Sequence, residues 1–129
     1  MRSLIFALLA TPALAETPMT GDEFEAYVEG RTLSFGTLGN PNYGIEKYLP
    51  NREVIWSRSE GQCVNGIWYD QGEDICFLYE HDPEPKCWRT YRTENGMRAE
   101  FTNRPGQSAI FETVDSPDEL ICPGPDLLG

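Results

Sequence analysis

From Gly30 onward the chain is cut into short pieces by turn-forming residues. They are Gly39-Asn40-Pro41-Asn42, Pro50-Asn51, Glu60-Gly61, Asp70-Gln71-Gly72, Asp82-Pro83-Glu84-Pro85, Asn95-Gly96 and Pro105-Gly106. Glycine and asparagine supply positive φ, and proline presets a turn. The eight segments between them alternate with the period of a strand: 31–37, 43–49, 52–58, 63–69, 74–80, 86–93, 97–103 and 108–114. Short loops join only antiparallel neighbours, because a parallel crossover needs about a dozen residues or more. A meander this long exposes its edges unless it closes or stacks. The sequence therefore predicts a mainly β fold, an eight-stranded antiparallel up-and-down barrel, with a two-sheet β-sandwich as runner-up.

Before the first strand, Thr20-Gly21-Asp22-Glu23 has the form of a capping box. Phe24, Tyr27 and Val28 follow on one helical face, and Gly30 suits the position just past a helix end. One short helix over 21–29 is expected, plugging or flanking one barrel end.

The first fifteen residues, MRSLIFALLATPALA, combine Arg2, an apolar core at 4–10, and the small residues Ala13 and Ala15 that a signal peptidase reads. This predicts a bacterial signal peptide over 1–15, cleaved before Glu16. A single disulfide-bonded domain over 16–129 would follow, in the periplasm or secreted. The apolar run falls short of the roughly 20 residues that cross a bilayer, so no membrane association is expected after cleavage. The formal net charge is −11, and loss of Arg2 makes it one unit more negative. Such a field repels nucleic-acid phosphates and anionic headgroups, and it suits a cationic partner. A monomer that binds no nucleic acid is expected.

All four cysteines, Cys63, Cys76, Cys87 and Cys122, lie beyond the leader, which in an exported chain reads as two disulfides. No CxxC pair suggests zinc. Setting Cys76 opposite Cys87 in the hairpin of 74–80 and 86–93 places Ile75 opposite Trp88. A turn centred on Asn95-Gly96 then places Thr90 opposite Phe101 and Arg92 opposite Ala99. The turn at 70–73 sets Trp68 opposite Ile75. These registers agree on one inner face: Trp68, Ile75, Phe77, Tyr79, Trp88, Thr90, Arg92, Ala99 and Phe101. Leu33, Phe35, Ile45, Val54 and Trp56 are expected to join it. Cys63 is left to pair with Cys122, while the pairings 63–76 with 87–122 and 63–87 with 76–122 need other registers.

The stretch Gly66-Ile67-Trp68, then Ile75-Cys76-Phe77-Leu78-Tyr79, then Cys87-Trp88 resembles small secreted bacterial lipocalin-like proteins of unknown function. In those, a Gly-x-Trp strand precedes two cysteine-bearing strands. Lipocalins proper carry Gly-x-Trp near the first strand, whereas Trp68 lies on the fourth. The resemblance implies a calycin-type barrel with an apolar ligand in its mouth, and it supplies no binding residues.

Little in the chain points to catalysis. No GxSxG surrounds a serine, and the single histidine, His81, falls in a turn beside Asp82. Glu73-Asp74 and Asp82-x-Glu84 are acidic pairs in predicted turns, without calcium-loop spacing. No cofactor or metal is expected. Trp56, Trp68, Phe77, Tyr79, Trp88, Arg92 and Phe101 are the candidate ligand-lining residues. Rings this large in so short a chain favour a filled barrel over a hollow one. An inward Arg92 would need a carboxylate or an anionic ligand. The expected function is therefore a non-catalytic exported binding protein for a small apolar or anionic ligand. The alternative is a protein-binding inhibitor of a basic periplasmic or cell-wall enzyme, using the Asp82–Pro85 tip. An enzyme built on His81 ranks last.

Overall fold

The computed structural model describes residues 3, 5, 16–58, 62–113, 120 and 122. Most of the leader over 1–15 lies outside the described residues, as does most of the chain beyond Thr113. The elements are α1 (Gly21–Val28), β1 (Thr32–Gly36), β2 (Gly44–Tyr48), a 3-10 turn (Pro50–Arg52), β3 (Glu53–Ser57), β4 (Cys63–Gln71), β5 (Asp74–Tyr79), β6 (Lys86–Thr93), β7 (Gly96–Phe101) and β8 (Ile110–Glu112). The strands follow one another in order as an antiparallel closed barrel. Closure is made by β8, where Ile110 faces Ala99 of β7 and Glu112 faces Phe35 of β1. The Thr113 N–H extends that seam by donating to the Ser34 carbonyl at 2.9 Å. With no open edge, every strand backbone finds a partner.

The expected helix forms and is capped on both sides of the box. The Glu23 N–H donates to Thr20 Oγ1 at 3.1 Å, and the Thr20 N–H donates to Glu23 Oε1 at 3.0 Å. Phe24 enters the barrel from this helix and is 1% exposed. Its ring meets Tyr48, Trp68 and Phe77 edge-on, with centroids 5.8, 4.9 and 6.2 Å away. The helix is thus a plug. It is latched by Arg52, whose guanidinium bonds Glu25 at 3.0 Å and Asp70 at 2.9 Å and lies 4.3 Å over the Trp68 ring.

Cys76 faces Cys87 and Ile75 faces Trp88, as the hairpin argument requires. The disulfides are Cys76–Cys87 and Cys63–Cys122. Two registers differ from expectation by two residues. Trp68 faces Phe77 rather than Ile75, and Ala99 faces Thr90 rather than Arg92. The first turn is centred on Gly72-Glu73, with Gly72 alone at positive φ (60°), as a type II′ turn requires. The second is centred on Glu94-Asn95, with Thr93 paired to Gly96. A shift of two preserves the side-chain face, so the inner face survives both corrections.

Two residues do not lie where expected. Ile45 points outward, because β1 pairs Phe35 with Gly44 and Leu33 with Glu46, which sends Gly44, Glu46 and Tyr48 inside. Arg92 has the inward parity but is exposed at the plugged end, its guanidinium 4.2 Å over the Tyr27 ring.

Candidate functional site

The barrel is not filled. A cavity of about 290 Å³ remains above Phe24 and reaches the surface at the end opposite the helix. Trp56, Phe77, Tyr79, Trp88 and Phe101 line it, together with Tyr43, Tyr48, Glu46 and Thr90. Its rim carries Arg58, His81, Asp82, Glu84, Lys86 and Arg104. Of the ligand-lining candidates, Trp68 packs against the plug and Arg92 sits outside the plugged end, so neither belongs to the cavity.

Two glycines make this arrangement possible. A Cβ on Gly44 would collide with the six-membered ring of Trp56, which lies across it. A Cβ on Gly66 would sit 2.7 Å from Cδ1 of Tyr79. Gly66 and Tyr79 are cross-strand partners, so the missing side chain lets the tyrosine ring lie flat on β4. That is the physical content of the glycine in Gly66-Ile67-Trp68. It aims the Tyr79 hydroxyl across the interior at β2.

What the hydroxyl reaches is Glu46, a carboxyl 3% exposed inside an apolar barrel. Tyr79 Oη lies 3.0 Å from each carboxyl oxygen. Among the described residues no cation pairs with Glu46. Burial holds its proton affinity well above the ordinary carboxyl value of 4.5 and outweighs the Tyr79 hydrogen bond, which pulls the other way. Burial also raises the Tyr79 and Tyr48 phenols, and the nearby Glu46 carboxyl adds to both shifts. On the opposite wall, Thr90 is 2% exposed and its Oγ1 has no hydrogen-bond partner among the described residues. Buried hydroxyls are normally bonded, so this one marks a place where a polar group fits.

The sign of the Glu46 effect is fixed by linkage. The folded state holds this proton more tightly than the unfolded chain. Its contribution is fullest below about pH 4.5 and is lost as pH rises toward the raised folded value. Glu46→Gln keeps a group able to bond Tyr79 and removes the titration. The variant is expected to melt above the wild type at pH 7.5, with the difference vanishing near pH 4 in thermal scans. A constant difference across that window would show that Glu46 is not buried protonated.

The acidic pairs form ordinary surface contacts. Asp74 and Glu73 lie 3.3 and 3.7 Å from the Arg89 guanidinium. Asp82 pairs with Lys86 at 3.0 Å and accepts the Glu84 N–H at 2.9 Å, which depresses its proton affinity. His81 is exposed, its ring 6.2 Å from that of Tyr79. Sequence reasoning missed Glu46, because counting apolar residues in 43–49 favours the face of Tyr43, Ile45 and Leu49. It placed Thr90 inward without marking it as a binding group. Comparison with protein-family models, curated proteins and solved structures returns no match.

Proposed function

We propose that this chain is a non-catalytic, exported, lipocalin-like binding protein that holds one small ligand inside its barrel. The observation that carries this reading is the cavity, with aromatic walls and two buried polar groups that the protein does not fully satisfy, Glu46 and Thr90. Ligand sites combine apolar walls with a few placed polar groups in this way. The anionic ligand loses its support, since Arg92 lies outside the cavity and the buried charge-bearing group is a carboxyl. Export to the periplasm or medium is supported by the leader-like 1–15 segment and by two disulfides, which persist in oxidising compartments.

The test is a fluorescence titration at neutral pH with 2-naphthol, an uncharged two-ring aromatic probe. One equivalent is expected to bind the wild type. Ala99→Phe, which places a ring in the cavity from β7, is expected to abolish binding while near-UV circular dichroism stays native. Absent binding, or binding that Ala99→Phe leaves intact, overturns the reading. The inhibitor reading keeps one supporting observation, a pinned exposed tip. The Asn103 amide donates to Glu84 at 3.2 Å and to the Pro85 carbonyl at 2.9 Å. Native mass spectrometry of protein purified from its producing cells separates the two, through a retained small molecule or a retained basic protein.

A further inference from the structure

Resting on the barrel-ligand reading, we infer that the ligand is a small aromatic amine whose ammonium sits against Glu46 and whose second polar group meets Thr90. Three features of the cavity point to a cation. The Tyr79 hydroxyl has one proton to share between two Glu46 oxygens, so lone pairs of that carboxyl face the cavity unused. No guanidinium or ammonium of the described residues reaches it. The basic groups lining the cavity, Arg58, Lys86 and Arg104, sit at the rim, and Lys86 is already held by Asp82.

The walls add to the selection. Ring faces attract an ammonium through their quadrupole, most strongly where water is excluded, and rings of Tyr43, Trp56 and Tyr79 line the same cavity as Glu46. An entering ammonium also removes the reason for Glu46 to stay protonated, since a paired carboxylate can be held where an isolated one cannot. Outside, the chain's net charge of −11 draws cations toward the barrel and repels anions.

The second polar group follows from topology. Glu46 is on β2 and Thr90 on β6, four strands apart in an eight-stranded closed order, hence on opposite walls. A ligand that meets both carries its ammonium at one end and a hydrogen-bonding group at the other. A cavity of about 290 Å³ is at the small end for ligand sites, which limits the body to one or two rings.

Isothermal titration calorimetry at pH 7.5 tests this with three indoles: tryptamine (cationic), its isostere 3-propylindole (neutral) and the slightly larger indole-3-propionate (anionic). Tryptamine is expected to bind at least about tenfold more tightly than 3-propylindole, the range of a charged hydrogen bond. Indole-3-propionate is expected to bind weakest. Glu46→Gln is expected to erase the tryptamine preference and leave 3-propylindole unchanged. Thr90→Val is expected to weaken both indoles alike. Equal affinities in the wild type, or a preference for the neutral or anionic indole, overturn the amine while leaving the barrel-ligand reading intact. A tryptamine preference that survives Glu46→Gln overturns the role of Glu46. Binding of none of the three overturns the inference, and the naphthyl-probe titration then decides the barrel-ligand reading by itself.

Discussion

Replacing Phe24 by alanine is expected to lower the free energy of unfolding by about 3–5 kcal/mol, the usual range for deleting a buried phenylalanine ring. The residue is 1% exposed and touches three aromatic rings from three different strands. No neighbour can collapse into the space, because Tyr48, Trp68 and Phe77 are fixed by their own strands in a closed sheet. The void therefore persists, which places the cost toward the upper part of that range. A domain of this size has roughly 5–15 kcal/mol in total, so the variant stands near the edge of folding. Urea denaturation monitored by tryptophan fluorescence reads the change directly. Loss of the Arg52 latch is a useful contrast. Its ion pairs are partly exposed to solvent and contribute at most about 1 kcal/mol each, so Arg52→Ala should shift the transition far less. If the two variants lost similar stability, the helix would be held by its surface contacts and not by the ring inside the barrel.

The plug also shows what a sequence makes visible. The capping box and the Phe24, Tyr27, Val28 spacing announce a short amphipathic helix, and a barrel with an open end is the natural place for its apolar face. The eight strands were equally legible, because each is bounded by residues whose backbone preferences end a strand. Of the three registers, the one set by placing Cys76 opposite Cys87 matches the structure, and both that rest on turn placement are off by two residues. The error was harmless, since side chains alternate with a period of two and the inner face is conserved under an even shift. Ile45 is the instructive exception. In Gly44-Ile45-Glu46-Lys47-Tyr48-Leu49 the apolar Ile45 and Leu49 share the outward parity, while Tyr43, just before the strand, packs on Trp56 at the cavity. The inward set contains a glycine that makes room for Trp56 and a carboxyl that no core requires. Hydrophobic patterning reads strands by what stability needs. It fails where a strand carries a polar group to the interior, and that is where the candidate site lies. Arg92 fails for a different reason. Its parity is inward, but a strand running past the barrel end puts its last inward residues beside the plug, and alternation contains no information about length.

Removing the Cys63–Cys122 disulfide with alanines is expected to cost about 4 kcal/mol, against about 3 kcal/mol for Cys76–Cys87. The order follows from the chain each bridge closes. The first joins residues 59 apart and the second residues 11 apart, and a longer loop loses more entropy in the unfolded state. The native contacts point the same way. Cys76 and Cys87 are already direct partners in the ladder between β5 and β6, so hydrogen bonds hold them together without the bridge. Cys122 lies well beyond β8, the last strand among the described residues, and the bridge fastens it to the first residue of β4, halfway round the barrel from the β8–β1 seam. One opposing contribution acts on the shorter bridge. Cys76 is fully buried, so its alanine variant also leaves a small void, which narrows the gap between the two costs. Thermal unfolding of the two double variants settles the order. A larger loss for Cys76→Ala/Cys87→Ala would mean that local packing around β5 outweighs the long-range tether, and that the carboxy-terminal segment contributes little to holding the barrel closed.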